Sequence, residues 1–292
     1  MKTKKDCLDY LTWTYYFRRI IKNPAYYGVE NSTPESNFVS QYFTIFLIEI
    51  NEFVIDLINS SLKALEEHRC IKIGEDEFSI ESTFLGHIAS FYYVRHTTVA
   101  HFEANLKEDL TIINLIKLIS DAREFEEIPL RHNEDNYNEA LAKICPYSLP
   151  NKQYDSSNFK TFLLFQMYFG RLPPPIRDYV TDAKLAIDGA MRIVMAIIDI
   201  AADKGYLQVV FNLCYIMQMI VQGLWIHDSQ FKNIPHFTDT MIKILNNEEK
   251  ITYLPQLQDV IKKGEFANIM KKHKIDLSVR EIVCFKFNLI GR

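Results

Sequence analysis

The chain has 292 residues, a net charge of -4, 9 Gly, 10 Pro and 5 Cys. At 48% apolar and 24% charged it has an ordinary globular balance, and its length predicts roughly two domains. Glycine is the outlier: 9 in 292 is about 3%, against a usual ~7%, which points to a helical chain.

Phosphate-cradling loops need Gly where φ is positive or a ligand nears the backbone. Gly28, Gly74, Gly86, Gly170, Gly189, Gly205, Gly223, Gly264 and Gly291 include no pair five apart and no pair two apart. Neither a Walker A loop nor a dinucleotide fingerprint is therefore present, and GxSxG and HExxH are also missing. The cysteines, Cys7, Cys70, Cys145, Cys214 and Cys284, are odd in number, far apart and never CxxC. They read as reduced thiols of a cytosolic or nuclear protein. No apolar run reaches ~18 residues, so no membrane span is expected. The start, MKTKKDCLDY, has no apolar core, so no signal peptide is expected there. An isoelectric point near 6.1 predicts no strong non-specific grip on nucleic acid.

In chain order, residues 6–22 carry Leu8, Leu11, Tyr15, Ile20 and Ile21 at helical spacing, ended by Pro24. Ser32-Thr33-Pro34-Glu35 is a capping-box signature opening a long amphipathic helix to about Glu67. Ile71-Lys72-Ile73 and Phe78-Ser79-Ile80 flank Gly74-Glu75-Asp76 and read as a β-hairpin. A helix followed by such a ribbon suggests a winged-helix wing. Helices are predicted at about 84–104, 108–121 and 133–144. A Pro-rich connector follows at 146–155, with Asp155 as the cap of a helix at about 156–171. Pro173-Pro174-Pro175 is a rigid break. Two long helices follow at about 179–204 and 206–226, with Gly205 at the C-cap between them. Short helical pieces at about 238–246, 255–263 and 265–272 suggest a small helical domain. Leu277 to Leu289 is rich in Val, Ile and Phe and reads as one strand.

The 179–204 helix has an apolar stripe of Ala183, Ile187, Ala190, Met191, Val194, Ile198 and Ala201. The opposite stripe holds Asp182, Leu185, Gly189, Arg192, Ala196, Asp199 and Asp203. It is small and polar, with Arg192 near its middle and Asp188 available as an i,i+4 partner. Two readings stay open. One is a solvated face with a surface ion pair. The other is a face lining a strand channel, where Gly189 and Ala196 give room and Arg192 meets phosphate. The four aspartates, against Lys184 and Arg192, speak for the first.

Other signals are weaker. His96 and His101 are five apart and share no helix face, so no metal site is expected. Arg131-His132-Asn133-Glu134-Asp135 reads as a helix start capped by Asn133, with Glu134 and Asp135 complementing the dipole. An acid–base role for His132 and Glu134 would need a pocket. Arg18 and Arg19, after Trp13, Tyr15, Tyr16 and Phe17, could stack bases or bind phosphate, or pair with carboxylates above a packed face. Met217, Met219 and Trp225 are expected in the core.

An ordered set of words carries more. DYLTWTYYFRR (Asp9–Arg19) is followed by NPAYYG (Asn23–Gly28), LGHIASFYYVRH (Leu85–His96) and IPLRHNED (Ile128–Asp135). Then come KTFLLFQMYFGRLPPP (Lys160–Pro175), YVTDAKLAIDGAMRIVMAIIDIAADKGYL (Tyr179–Leu207), QMIVQGLW (Gln218–Trp225) and DSQFKNIPHF (Asp228–Phe237). Together these resemble the Sec63 (Brl) module of large Ski-two-like helicases over residues 6–240. The translocon branch of that family lacks the TWTYYFRR opening. The resemblance implies a mainly α fold: a winged-helix tail with a short β-hairpin and first bundle helices (1–83), a helical bundle (84–236), a small helix–hairpin–helix domain (237–275) and the truncated first strand of an immunoglobulin-like sandwich (276–292). It makes 179–204 the ratchet helix beside a single-strand channel, with Arg192, Gly189, Leu185 and Lys184, then Arg18 and Arg19, as candidate nucleic-acid contacts.

The implied role is that of an accessory module without catalytic residues, metal or cofactor of its own. ATP and Mg would belong to the parent's motor. The implied partners are RecA and winged-helix domains in cis, single-stranded RNA or DNA, and protein subunits of a larger complex, with no membrane. The alternatives are a scaffold without nucleic-acid contact and a translocon-type module of the same family. Three positions depart from the family pattern. Gln166-Met167-Tyr168 stands where Gln-Ala-His is usual. Met195-Ala196-Ile197 lacks the frequent Gln before Ala-Met, and Tyr206 replaces a usual Trp. These departures favour docking over specific strand contacts.

Overall fold

The computed structural model describes residues 2–29, 39–150, 153–235, 237–273 and 275, with side chains from Ile50 onward in the long helix that begins at Val39. The Ser32–Glu35 capping signature, Cys284 and the Leu277–Leu289 strand, with the sandwich start it implied, lie outside the described residues.

The N-terminal helical stretch is two helices, α1 (Lys4–Thr12) and α2 (Tyr15–Lys22). Thr14 divides them, because its hydroxyl accepts from the Phe17 amide at 3.3 Å and so caps α2. The long helix α3 runs Val39–Glu67. Ile20, Val29, Ile50 and Val54 form a local core there, with Leu8, Leu11 and Phe17 packed around it.

Strands β1 (Ile71–Ile73) and β2 (Ile80–Ser82) pair antiparallel, Ile71 opposite Ser82. The second strand begins two residues later than the apolar pattern suggested. The reason is Asp76, whose Oδ1 accepts from the Phe78 and Ser79 amides and the Ser79 hydroxyl, so residues 74–79 become turn. The chain's start covers the hairpin: the Ile80 amide donates to the Lys2 carbonyl at 2.8 Å and the Lys4 amide to that of Phe78 at 3.0 Å.

The helix expected over 84–104 is also two, α4 (Phe84–Tyr92) and α5 (His96–Asn105). No Gly or Pro marks the break. Tyr93 adopts the left-handed conformation at φ 54°, and the Arg95 amide leaves the helical ladder for Glu124 Oε1 at 2.7 Å. Then follow α6 (Ile112–Ser120), α7 (Glu134–Ile144), α8 (Ser157–Gly170), α9 (Asp178–Asp203) and α10 (Leu207–Gln222). Helix α8 starts two residues after Asp155, its expected cap. Gly205, at φ 77°, closes α9: the Tyr206 amide reaches the Ala201 carbonyl and the Gly205 amide that of Ala202. The C-terminal pieces are α11 (Asp239–Lys243), followed by one π turn, then α12 (Leu254–Lys262) and α13 (Phe266–Lys272).

The chain divides into two compact units: residues 1–167 with 173–217, and residues 168–172 with 218 onward. In the first, α9 is the centre, packed by α4, α5 and α6. Ala183, Ala186, Ala190, Ala196 and Ala201 of α9 are all buried, and such small side chains let neighbouring helices approach closely. In the second unit, Phe231, Leu245, Leu257, Phe266 and Met270 build a separate core. Arg171 binds its loops there, donating to the carbonyls of Gly223 at 3.2 Å and Lys232 at 2.8 Å. Trp225 is buried in this unit, edge-on to Phe169, as is Met219; Met217 is partly exposed.

Candidate functional site

Helix α9 carries most of the candidate contacts, and its surroundings decide which of them face outward. The exposed positions of α9 are Asp178, Val180, Thr181, Lys184, Leu185, Asp188, Arg192, Met195, Ala202 and Asp203, most of them within about a third of the wheel at 100° per residue. This corrects the small polar stripe drawn from the sequence. Asp182 is 1% exposed and Ala196 0%. Packing on several sides buries part of the predicted stripe, so the open face is rotated about the helix axis by roughly 60°. Gly189 sits at its edge, half-buried, where an added methyl would lie 3.4 Å from Phe125 Cε1. Lys184, Leu185 and Arg192 do share the exposed stripe.

Arg192 forms no ion pair with Asp188 among the described residues. Its Nη1 donates instead to the Tyr93 carbonyl at 2.6 Å. One helix heptad further on, Asp199 Oδ2 accepts from the Tyr92 hydroxyl at 2.7 Å. That hydrogen bond, with burial added, pushes the Tyr92 phenol up to about 12. The end of α4 is thus pinned onto α9 at two points, with Phe91 and Tyr93 pointing away, 78% and 84% exposed. The sequence reading gave these two rings no role. A signal existed: three consecutive aromatics, Phe91-Tyr92-Tyr93, cannot all reach one core when neighbours on a helix diverge by ~100°.

Arg18 and Arg19 lie on α2, in the separate cluster around Ile20, and the structure does not put them on the α9 stripe. Both are exposed, and neither has an ion-pair partner among the described residues. The Arg19 guanidinium stands 6.0 Å from the centre of the Tyr15 ring.

The 131–135 segment is where sequence and structure differ most. Asn133 occupies the N-cap position of α7 but is left-handed, φ 63°, and its side chain makes no capping bond. His132 and Asp135 are exposed, whereas Glu134 turns inward. There it meets Lys160 of α8, which is 0% exposed. Lys160 Nζ donates to the Pro129 carbonyl at 2.8 Å, Glu134 Oε2 at 2.7 Å and Asp182 Oδ2 at 2.7 Å. Its three protons are therefore all used. Arg131 closes the cluster from outside: Nη1 reaches Glu134 Oε1 at 2.7 Å and Asp182 Oδ2 at 2.8 Å, and Nε reaches Asp178 at 3.3 Å. Burial by itself would raise the carboxyls of Glu134 and Asp182. Hydrogen bonds from Lys160 and Arg131 outweigh it and hold both below the usual range. Those same carboxylates hold the Arg131 guanidinium well above its ordinary value. His132 and Glu134 do not converge, and the acid–base pairing is withdrawn. The cluster ties α7, α8 and the start of α9 together. Lys160 and Asp182 were missed, although a lysine inside the apolar run Phe159–Phe165 hinted at a buried partner.

His96 and His101 are likewise apart in role. His96 packs edge-on to His68 at 4.9 Å, and His101 Nδ1 meets the Asn105 amide at 3.2 Å. Among the described residues no three His, Cys, Asp or Glu side chains converge as a ligand set. No described helix is long and apolar enough to cross a membrane.

The chain is similar to known proteins over most of its length. The Sec63 Brl domain family matches residues 82–289, and a winged helix-turn-helix domain family matches residues 1–75. Over 242 residues the chain is 40% identical to activating signal cointegrator 1 complex subunit 3 of Bos taurus, covering 83% of this chain and 10% of that protein. The Dictyostelium discoideum protein of the same name is 36% identical over 288 residues, 97% of this chain and 12% of its own length. The human U5 small nuclear ribonucleoprotein 200 kDa helicase is 32% identical over 243 residues, 83% of this chain and 11% of its own length. The chain spans about a tenth of the length of the curated relatives it matches.

Proposed function

The chain belongs to the Sec63 Brl domain family, and on that premise we propose that it is a non-catalytic accessory module of a large ATP-dependent helicase. It guides single-stranded nucleic acid along the open face of α9 and docks partner proteins. The observation that carries this reading is the exposed stripe of α9, with Arg192 at its middle held by the Tyr93 carbonyl at 2.6 Å. That bond uses one donor of a guanidinium with five and fixes its place. The remaining donors are free to meet a phosphate without a large ordering cost. Leu185 and Met195 on the same stripe offer apolar contact.

The module holds no cofactor; ATP and Mg belong to the parent's motor. Its partners are the motor's RecA and winged-helix domains in cis, single-stranded RNA or DNA, and protein subunits of a larger assembly. Titration of a labelled single-stranded RNA at low salt is the test. We expect binding that weakens at least tenfold in Arg192→Glu, which reverses one charge at the contact. Equal binding by the variant would remove α9 from the path.

A second reading, a protein-interaction platform without nucleic-acid contact, is favoured by one feature. Asp188 and Asp203 are exposed on α9, and the chain's net charge is -4. Absence of strand binding by the wild-type chain selects it.

A further inference from the structure

The outward face of α4 is unusual in composition and in backbone. Phe84, His87 and Phe91 are all exposed, at i, i+3 and i+7, so they form one stripe with rings at intervals of about 4.5 and 6 Å along the axis. Tyr93, the C-cap just beyond the helix end, is exposed as well. Phe91 and Tyr93 flank Tyr92, whose hydroxyl is taken by Asp199. The anchoring residue faces inward and its two neighbours face solvent.

Tyr93 is held left-handed at φ 54°, a conformation that strains any residue with a β-carbon. Glycine takes such turns without strain at Gly28, Gly205 and Gly264, while Arg69, Glu77, Asn133, Arg171 and Lys250 share the left-handed φ with Tyr93. Among these described non-glycine residues Tyr93 is the aromatic one, and it is 84% exposed. A ring retained at both costs, with its carbonyl clamped by Arg192 at 2.6 Å, is a ring positioned for a contact.

Charge says which contact. The chain has 37 Asp and Glu in 292 residues, about one in eight. Between Glu81 and Glu103 there is none, although Arg95 within that stretch is paired with Glu127 and its amide with Glu124. Facing α4 across the junction, α9 supplies Arg192. On the same helix Asp199 is occupied by Tyr92, and Asp188, one turn before Arg192, is exposed. Exposed flat rings beside a fixed guanidinium that has no ion-pair partner among the described residues match an unstacked polyanion better than a neutral protein partner.

We propose that the exposed face of α4, with Phe84, His87, Phe91 and Tyr93, is a stacking track for the bases of single-stranded nucleic acid, and that Arg192 holds the adjoining phosphate. This rests on the strand-guiding reading above and adds what that reading lacks, a binding surface for bases. It separates two roles: α9 meets the backbone, α4 meets the bases. Base stacking tolerates every sequence because each base has a π face, so the track discriminates single strands from duplex without reading sequence.

The test uses the full chain and two labelled strands of equal length, an oligoadenylate and an abasic strand with the same phosphates. Phe91→Ala removes one ring from an exposed position. Tyr93→Gly removes the other and leaves a residue that prefers the left-handed turn, so the Arg192 clamp is kept. Unchanged thermal melts confirm that both variants fold. The expected result is that each variant binds oligoadenylate about tenfold more weakly and the abasic strand as the wild type does. Arg192→Glu should weaken both strands. If Arg192→Glu weakens binding while Phe91→Ala and Tyr93→Gly bind oligoadenylate normally, the track is wrong and the strand-guiding reading stands. If the wild type binds neither strand, both are overturned and the aromatic face is left to protein docking.

Discussion

Lys160 is the residue on which the first unit's polar interior turns. Its ammonium is 0% exposed and bonded to two carboxylates and a carbonyl. Lys160→Met would leave Glu134 and Asp182 buried with only Arg131 between them. Breaking a buried pair by removing one partner costs about 3–5 kcal/mol, and we expect a loss of that order in chemical denaturation. The same cluster sets an acid limit. Both carboxyls are lowered from ordinary values of 4.5 and 3.8. Groups with depressed folded pKa values contribute fully above their unfolded values and lose that contribution as pH falls through the folded ones. Stability from this cluster should therefore be flat from neutral pH to about 5 and drain below the carboxylate range. Melts in Glu134→Gln should show a shallower acid slope; an unchanged slope would place the acid sensitivity elsewhere.

Two glycines show how elements, rather than residue types, decide a substitution. Gly86, in the first turn of α4, would put a β-carbon 2.0 Å from the backbone carbonyl oxygen of Cys70. Thr83 fixes that approach: its hydroxyl accepts from the Gly86 amide at 3.2 Å and donates to the Arg69 carbonyl at 2.6 Å. Gly86→Ala must therefore move α4 against β1, and we expect a loss of about 2 kcal/mol or more despite the better helix former. Gly189 on α9 is different, with 3.4 Å to the nearest ring carbon. Gly189→Ala should leave the packing intact and gain up to ~1 kcal/mol of helix propensity. Paired equilibrium unfolding of the two variants checks both signs. A destabilised Gly189→Ala would mean that Phe125 cannot accommodate the methyl.

At the scale of the whole molecule, the chain is a family module that spans about a tenth of its relatives. Its two units each have their own buried apolar cluster, around Ile20 and α9 in the first and around Leu245 and Leu257 in the second. Since the sequence contains no phosphate-binding loop, we expect the purified chain to hydrolyse no ATP, with or without single-stranded RNA. Phosphate release above background that persists through further purification would contradict the accessory role.

Legibility followed the range of the interactions. The helices at 133–144 and 179–204 and the Gly205 cap were readable because periodicity, capping residues and glycine are local signals. The break between α4 and α5 was not, because it depends on Arg192 and Glu124, which are distant in sequence. The site divided in the same way. Arg192 on an open helix face was legible from spacing alone. Burial of Asp182 and Ala196, the inward turn of Glu134 and the outward pair Phe91 and Tyr93 were not. A helical wheel says which residues share a direction, but not how many neighbours surround the helix. The family, the mainly helical build and the missing phosphate loop, announced by scarce glycine, were determined by the sequence itself. Which arc of α9 meets solvent, and that α4 brings its rings beside Arg192, only the tertiary structure decided, because both follow from helices packing across long stretches of chain.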